Sequence, residues 1–166
     1  MYLRILLPTE QETVELGEKI AASLQDGDII TLTGPLGAGK TSLARAIIRS
    51  KAGQIDVPSP TFGLVSCYDA PDVLIWHFDL YRLESAQEIW ELGLEEALEN
   101  GVILIEWPEL IDDLLPPERL FVELRHHQNG DGREAVVKGN SKWACLFDDL
   151  NRRQRLESRT DLDQTQ

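Results

Sequence analysis

Residues Gly34 to Thr41 constrain this chain more than any other stretch, because their sequence GPLGAGKT matches the pattern G-x-x-x-x-G-K-[ST] in full. The apolar run Ile29–Thr33 before them predicts a buried strand. The run from Thr41 to Ala52 after them predicts a helix, with apolar pairs at i, i+4 spacing. In such a strand–loop–helix unit the backbone N–H groups and the helix N-terminus face an anion. The stretch therefore predicts a nucleotide-phosphate site.

Two side chains of this loop address the phosphate end of a nucleotide. Lys40 is expected to reach the β- and γ-phosphates, and the Thr41 hydroxyl is expected to ligate Mg²⁺. The helix adds its partial positive charge at the same point. We assign nucleotide binding to six consecutive residues of the loop and helix start: Gly37, Ala38, Gly39, Lys40, Thr41 and Ser42.

Acidic residues end two apolar stretches elsewhere in the chain. Asp79 ends the run that begins at Leu74, and Glu106 ends the continuously apolar run that begins at Val102. Strands in sheets of this kind present functional groups at their carboxyl ends, so we expect both carboxylates beside the loop. In the usual division of roles one acid holds the metal and the other orients or activates water. An ordinary surface acid at a strand end is the structural alternative.

Other polar residues near these acids have less specific patterns. His77 precedes Asp79 by two residues and shares its strand face, and we interpret it as a structural histidine. Arg82 could neutralise phosphate charge, and pairing with Glu84 or another acid explains it equally well. His126 and His127 have no acidic partners nearby in sequence and are interpreted as surface residues.

The remaining pattern predicts one α/β domain over residues 1–150. The first seven residues are apolar apart from Arg4 and predict a strand, and a capping box at Thr9 and Glu12 predicts a helix that closes at Asp26-Gly27. A second capping box at Ser85 and Glu88 predicts a helix that ends at Asn100-Gly101. The fold class expected is a P-loop NTPase fold with a mixed parallel and antiparallel sheet flanked by helices.

Two hairpins and a terminal helix complete this expectation. The hairpins are predicted from Phe62–Tyr68 with Val73–Phe78, and from Leu120–His126 with Glu134–Lys138 around the turn at residues 129–132. Pro58 and Pro60 predict an ordered loop at residues 54–61. An amphipathic pattern predicts a last helix, with Trp143, Leu146, Phe147 and Leu150 on one face. Residues 151–166 are almost without apolar content and predict a polar tail.

Charge and composition narrow the class of partners. The net charge of −13 argues against a surface that grips nucleic acid directly, because such binding neutralises phosphates with Lys and Arg. No apolar run approaches the length of about 18 residues that a membrane-spanning helix needs. Cys67 and Cys145 are far apart in sequence and form no CxxC pair, so we expect two reduced thiols in a cytoplasmic protein.

With these residues in place, the chain resembles the TsaE (YjeE-type) ATPases of tRNA threonylcarbamoyladenosine synthesis over roughly residues 3 to 150. The HFDLYRL and EWP elements are specific to that family in a way that the phosphate-binding loop is not. Pro35 is a departure, since the family usually carries an acid there. The resemblance rests on five elements in order: Gly34–Thr41, Ser59–Phe62, His77–Leu83, Glu91–Gly93 and Ile105–Pro108.

The resemblance implies an ATPase, with ATP and Mg²⁺ as ligands, that assists a threonylcarbamoyl-transfer complex of TsaD and TsaB. That complex modifies an adenosine beside the tRNA anticodon, so contact with tRNA would be indirect. It further implies that Ser59-Pro60-Thr61 is a switch-like loop near the γ-phosphate and that Thr9 touches the nucleotide. Thr41 and Glu106 would lie on the metal side and Asp79 would be the second acid. The catalytic set is then Lys40, Asp79 and Glu106, and Thr61 joins the nucleotide-binding set.

Three other functions fit part of the pattern. A small-molecule kinase usually needs an arginine-bearing lid, whereas residues 110–118 are acidic and proline-rich with Arg119 at their end. A GTPase switch would carry an Asn-Lys-x-Asp motif, which this sequence lacks. A non-catalytic module that binds ATP as a structural ligand is the third alternative, and turnover with and without the partner complex separates it from an ATPase.

Overall fold

The computed structural model describes residues 1–127 and 132–152. Within them the strands are β1 Tyr2–Leu7, β2 Ile29–Thr33, β3 Val65–Asp69, β4 Leu74–Asp79, β5 Val102–Glu106, β6 Leu120–His126 and β7 Arg133–Lys138. They form one seven-stranded sheet in the order β1-β7-β6-β2-β5-β4-β3. The central strands β6, β2, β5 and β4 run parallel, while β1–β7, β7–β6 and β4–β3 pair antiparallel. The expected mixed sheet is confirmed.

Helices cover both faces of this sheet. The α-helices are α1 Glu10–Ser23, α2 Lys40–Ala52, α3 Glu88–Glu91, α4 Leu94–Glu99 and α5, which begins at residue 144 and continues to residue 152, the last one described. Two 3₁₀ helices span Pro108–Leu114 and Ser141–Trp143. None of the helices in the described ranges combines the length and the hydropathy needed to cross a membrane.

Each face of the sheet has its own core, which explains why the central strands are apolar throughout. Ile30 and Leu32 pack in one cluster with residues of α1, α2 and α5. Ile29, Ile103 and Ile105 pack in the other with residues of α3, α4 and the Pro108–Leu114 helix. Because every residue of β5 is buried, its uninterrupted apolar sequence matches a strand covered on both faces.

The predicted boundaries of the first two helices are largely confirmed. Thr9 forms the capping box with Glu12, whose carboxylate accepts the Thr9 N–H at 2.8 Å. The helix ends at Ser23 with Leu24 as its C-cap, three residues before the predicted stop. α2 begins at Lys40, one residue before the predicted start, and ends at Ala52 as predicted, with Gly53 as its C-cap. α1 and α2 approach closely, since a Cβ added to Gly17 would lie 2.5 Å from the Ala46 Cβ.

Two predicted elements are wrong in part. The helix expected from Ser85 to Asn100 is divided into α3 and α4, because Gly93 adopts φ 88° between them. Only half of the expected capping box forms, in which the backbone N–H of Ser85 donates to the Glu88 carboxylate. The N-cap of α3 is Gln87, whose side chain forms no capping hydrogen bond. The strand expected from Phe62 starts at Val65, since the preceding residues turn and Leu64 has φ 63°.

Both hairpins and the last helix are confirmed within the described residues. β3 pairs with β4, and β6 pairs with β7 from Phe121↔Lys138 to His126↔Arg133. The four apolar residues predicted on one face of the last helix are each at most 3% exposed. Most of the predicted turn at residues 129–132 and the predicted tail beyond residue 152 lie outside the described residues.

Candidate nucleotide-binding site

The carboxyl ends of β2, β4 and β5 meet at one edge of the sheet, directly beside the glycine-rich loop. In the parallel register Asp79 lies opposite Glu106, and Glu106 lies opposite Leu32 of β2. A cavity of about 490 Å³ opens there. Its lining contains the loop and both strand-end acids: Leu36, Gly37, Gly39, Lys40, Thr41, Ser42, Ser59, Thr61, Asp79, Tyr81, Arg82, Glu106, Trp107 and Arg133.

Glycine is required at two points of the loop. Gly34 has φ 126°, and a Cβ there would lie 2.0 Å from the Leu124 carbonyl oxygen of β6. Gly39 has φ 103° and caps α2, and a Cβ there would lie 3.0 Å from Arg133 Nε. At Gly34 the backbone of β6 leaves no room for a Cβ, and at Gly39 the left-handed φ favours glycine.

Lys40 is the first residue of α2 and is 5% exposed. Its ammonium donates to the carbonyls of Gly34 at 2.7 Å and Pro35 at 2.9 Å, and lies 3.8 Å from the centroid of the Trp107 ring. Burial lowers the pKa of Lys40, while Glu106, Glu109 and Asp79 act in the opposite direction. The side chain places a partly desolvated positive charge within the loop, where an anion gains most from it.

The indole ring of Trp107 also contacts the Lys40 ammonium. Trp107 follows Glu106 at the end of β5 and has φ 58°, a left-handed conformation that costs a non-glycine residue of the order of 1–3 kcal/mol. Its backbone N–H donates to the Leu32 carbonyl at 3.2 Å, and the centroid of its ring lies 4.8 Å from that of the Tyr81 ring. The turn aims the indole across the cavity, a role that the sequence did not predict for Trp107.

Thr41 and Glu106 are joined directly. The Thr41 hydroxyl donates to Glu106 Oε2 at 2.8 Å, which leaves the lone pairs of its oxygen available to a cation. The other carboxylate oxygen, Oε1, lies 2.8 Å from His77 Nε2. Glu106 is 1% exposed and His77 is fully buried, so these contacts are shielded from bulk water.

Asp79 has a separate set of partners. Its Oδ2 accepts the Ser59 hydroxyl at 2.6 Å and the Thr61 hydroxyl at 3.3 Å, and its Oδ1 accepts the Tyr81 N–H at 3.2 Å. The two hydroxyls are also 2.7 Å apart. Asp79 therefore fastens the Ser59-Pro60-Thr61 loop to the end of β4.

The start of the same loop is fastened to α2. Arg45 Nε donates to the Val57 carbonyl at 3.0 Å, and Arg49 Nε donates to the Ile55 carbonyl at 2.9 Å. Both arginines belong to the helix that begins at the phosphate-binding loop. The proline-containing segment is thus an ordered connection between that helix and Asp79, in keeping with the ordered loop that the sequence predicts.

Eight of the predicted site residues line the same cavity, and two do not. Ala38 is fully buried, and its N–H donates to the Pro35 carbonyl at 3.2 Å. Thr9 lines an adjoining cavity of about 290 Å³, which shares Gly37 and Arg133 with the first. The residues brought together are Gly37, Gly39, Lys40, Thr41, Ser42, Thr61, Asp79 and Glu106.

Sequence reasoning missed Arg133, which touches both cavities. It begins β7 and lies far from the loop in sequence, and no local pattern marks it. The pairing of β7 with β6, together with that of β6 with β2, returns it to the loop. Arg82 also lines the main cavity, with its guanidinium 4.6 Å from the Phe62 ring centroid. Two cationic side chains thus face the space beside Lys40.

The donors present suit Mg²⁺ and a phosphate chain. Among residues 1–127 and 132–152 no group of three or more His, Cys, Asp or Glu side chains could hold a metal ion. A hydroxyl and one or two carboxylates are what Mg²⁺ takes from a protein when phosphates and waters complete its coordination. Thr41 and Glu106, with Asp79 opposite, form such a set.

Comparison with known proteins points to one family. A family model described as threonylcarbamoyl adenosine biosynthesis protein TsaE matches residues 7–135. A Rickettsia conorii protein named tRNA threonylcarbamoyladenosine biosynthesis protein TsaE is 44% identical over 148 residues, covering 87% of this chain and 85% of that protein. A Bacillus subtilis protein of the same name is 32% identical over 143 residues, covering 86% and 89%.

A solved structure shares the fold. The crystal structure of Bacillus subtilis YdiB superposes with a TM-score of 0.72 at 28% sequence identity. The match covers 93% of this chain and 95% of that one. The architecture described above is therefore also found in an experimentally determined relative.

Proposed function

The chain belongs to the TsaE family of threonylcarbamoyl adenosine biosynthesis proteins, and from this premise we propose that it is a magnesium-dependent ATPase. In this proposal it assists a complex of TsaD and TsaB in threonylcarbamoyl transfer to the anticodon-adjacent adenosine of tRNA. ATP binding promotes docking on that complex, and hydrolysis resets it. The family supports a role in the tRNA modification, and the residues of the cavity support the ATPase chemistry.

One observation carries the proposal. Lys40 and Thr41 lie at the start of α2, and the Thr41 hydroxyl is bonded to Glu106 at 2.8 Å at the end of a neighbouring parallel strand. This is the arrangement in which a phosphate-binding loop and a strand-end acid share one metal ion. A glycine-rich turn that matched the motif by chance would have no reason to meet a buried carboxylate there.

The chemistry divides among the residues of the cavity. Lys40 and the backbone N–H groups of the loop bind and orient the β- and γ-phosphates. Thr41 and Glu106 would hold Mg²⁺, which when bound neutralises the charge that develops on those phosphates. Asp79 holds the loop that carries Ser59 and Thr61, and its carboxylate is the candidate for orienting the attacking water.

Coupling to partners follows from the position of the same loop. Three large apolar side chains at or next to the cavity are exposed: Leu36 at 73% and Tyr81 at 55%, which line it, and Phe62 at 88%, which lies against Arg82 of the lining. Phe62 directly follows Thr61, whose hydroxyl is bonded to Asp79. A protein that covers Phe62 would therefore act on the group proposed to orient water, which supports hydrolysis that depends on the TsaD and TsaB complex.

Steady-state ATP hydrolysis tests the proposal. The protein alone should hydrolyse ATP slowly, and adding TsaB and TsaD should accelerate hydrolysis in the wild type but not in Lys40→Ala. Lys51→Ala is the matched control, because Lys51 lies at the far end of the same helix and pairs with Asp72 at the surface. A partner complex that modifies tRNA repeatedly without this protein, or equally well with Lys40→Ala, would contradict the mechanism.

The structure gives little support to the kinase alternative. Arg119, the only arginine of the candidate lid segment, is 4% exposed and pairs with Asp112 within that segment. It also donates to the carbonyls of Asp112 and Pro116. Phosphate transfer from ATP to nucleosides or metabolites in a panel assay would favour a kinase. Binding without turnover, with and without partners, would favour the non-catalytic module.

A further inference from the structure

His77 occupies the middle of β4 and is fully buried. It lies opposite Leu104 in the parallel register, two residues before the pair formed by Asp79 and Glu106. Its ring reaches along the strands toward the site, and Nε2 lies 2.8 Å from Glu106 Oε1. The histidine therefore contacts Glu106, the proposed metal-side acid, but does not itself line the cavity.

The chemistry of the two groups fixes the direction of this hydrogen bond. An ionised carboxylate only accepts, so His77 Nε2 carries the hydrogen and donates it. The other ring nitrogen, Nδ1, is buried and has no hydrogen-bond partner among the described residues. A hydrogen on Nδ1 would be buried without an acceptor, so the geometry selects the tautomer with its hydrogen on Nε2.

Glu106 is consequently held at both oxygens by donors from different elements. His77 on β4 donates to Oε1, and Thr41 on α2 donates to Oε2. Two donors on opposite oxygens restrain rotation of the carboxylate about its last bond. Each oxygen keeps a second lone pair, so the restraint does not prevent binding of a cation.

We propose that His77 is a positioning residue for Glu106, whose carboxylate it orients toward the metal side of the site. The inference rests on the proposed function, because it concerns the same carboxylate. Partners that orient metal-ligating groups typically change metal affinity about ten- to a hundredfold when they are replaced. We expect a loss in that range when the Nε2 donor is removed.

The unpartnered Nδ1 argues against a role in packing alone. An apolar ring would fill the same buried volume without burying a nitrogen that lacks a partner. The free-energy cost of burying Nδ1 is compensated only by the hydrogen bond that the other ring nitrogen, Nε2, forms with Glu106. The hydrogen bond, more than the volume, explains a histidine at this position.

Matched amide variants separate the two roles. His77→Gln places an amide nitrogen near the position of Nε2, whereas His77→Asn is one methylene shorter and cannot reach Oε1 with the same backbone. The full chain is titrated with ADP by calorimetry, once in excess Mg²⁺ and once in EDTA, and the ratio of the two affinities measures the coupling to the metal. We expect this ratio to be about ten- to a hundredfold lower in the Asn variant than in the wild type. The EDTA affinity should stay unchanged, and His77→Gln should retain most of the ratio.

Three results would overturn the inference. Folded His77→Asn with wild-type coupling would show that the bond to Glu106 does not position it. ¹⁵N NMR of the imidazole in the unmodified protein is expected to show hydrogen on Nε2, and hydrogen on Nδ1 instead would contradict the donor role even if the Asn variant does not fold. A wild-type protein without metal coupling would overturn the proposed function as well, which distinguishes that failure from the first.

Discussion

At the residue scale, the function proposed for Lys40 depends on a charge held in partly desolvated surroundings. The ammonium contacts two carbonyls of the loop and the face of Trp107, and burial lowers its pKa. These partners keep the side chain inside the loop, directed to the space where phosphates would lie. Truncating it would leave a bound polyphosphate without its nearest buried cation.

Lys40→Ala should therefore weaken Mg²⁺-ATP binding by about 2–5 kcal/mol, the usual cost of removing one member of a buried charge pair. Calorimetric titration measures the difference. Lys51→Ala, at the other end of α2, should bind ATP like the wild type. Wild-type affinity in Lys40→Ala would refute the assignment of this loop as the phosphate site.

Asp79 and Glu106 lie opposite each other in the sheet but have different partners, which predicts different losses. Glu106→Gln should weaken the Mg²⁺ dependence and the rate of hydrolysis together, because Glu106 is bonded to Thr41. Asp79→Asn should reduce hydrolysis about a hundredfold or more with little effect on nucleotide binding, if its carboxylate acts on water. Rates are measured within the partner complex over a range of Mg²⁺ concentrations. Wild-type hydrolysis by both variants would make these acids structural.

At the scale of elements, the loop from residue 54 to residue 61 connects α2 to Asp79 and is followed directly by the exposed Phe62. If partners act through this loop, Phe62→Ser should lose most of the acceleration of hydrolysis by TsaB and TsaD. The affinity for ATP of the isolated protein should not change, since Phe62 does not line the main cavity. Leu110→Ser, at an exposed apolar residue of the Pro108–Leu114 helix, is the control. Full acceleration in Phe62→Ser would exclude this residue from the docking face.

The contact between α1 and α2 makes a second prediction at this scale. Gly17→Ala gains about 0.5–1 kcal/mol in helix propensity. The new Cβ, however, would lie 2.5 Å from the Ala46 Cβ, and overpacking of this kind costs about 1–3 kcal/mol. We therefore expect Gly17→Ala to lower the free energy of unfolding, measured by urea denaturation. Glu18→Ala, on the exposed side of α1, is the control and should be nearly neutral. Adding Ala46→Gly should recover part of the loss, and strict additivity of the two changes would disprove the steric explanation.

At the scale of the whole molecule, the charge distribution opposes direct binding of tRNA. The chain carries 29 acidic and 16 basic residues, for a net charge of −13. Its densest basic cluster, at residues 152–155, lies beyond the described structure except for Arg152. Binding to a polyanion needs a basic stripe, which the sequence does not contain.

The isolated protein should therefore bind tRNA no more tightly than the range of about 10⁻⁴–10⁻⁶ M that is typical of non-specific contacts. Fluorescence anisotropy of labelled tRNA at two salt concentrations measures this, with the TsaB and TsaD complex as the positive control. Tight binding that weakens steeply with salt would refute the charge argument, because that dependence reports the release of counterions by Lys and Arg.

Local patterns were sufficient to predict the strand, loop and helix around Lys40, the strand-end acids and most element boundaries. Each depends on residues that are neighbours in sequence: the spacing of apolar side chains, the capping box at Thr9 and the stop at Gly53. The same patterns failed at two points where the backbone adopts a positive φ. The left-handed Gly93 divided a predicted helix, and the turn with left-handed Leu64 before Val65 shortened a predicted strand.

Only the order and register of the sheet decided which side chains meet. The parallel pairing of β4 with β5 places Asp79 beside Glu106 and lets His77 reach the same carboxylate. The pairing of β7 with β6 returns Arg133 to the loop, about a hundred residues away in sequence. Such contacts depend on which strands are neighbours, and the periodicity of a single strand is the same whatever its neighbour is. The sequence thus determined the kind of site, and the tertiary structure determined how its residues act on one another.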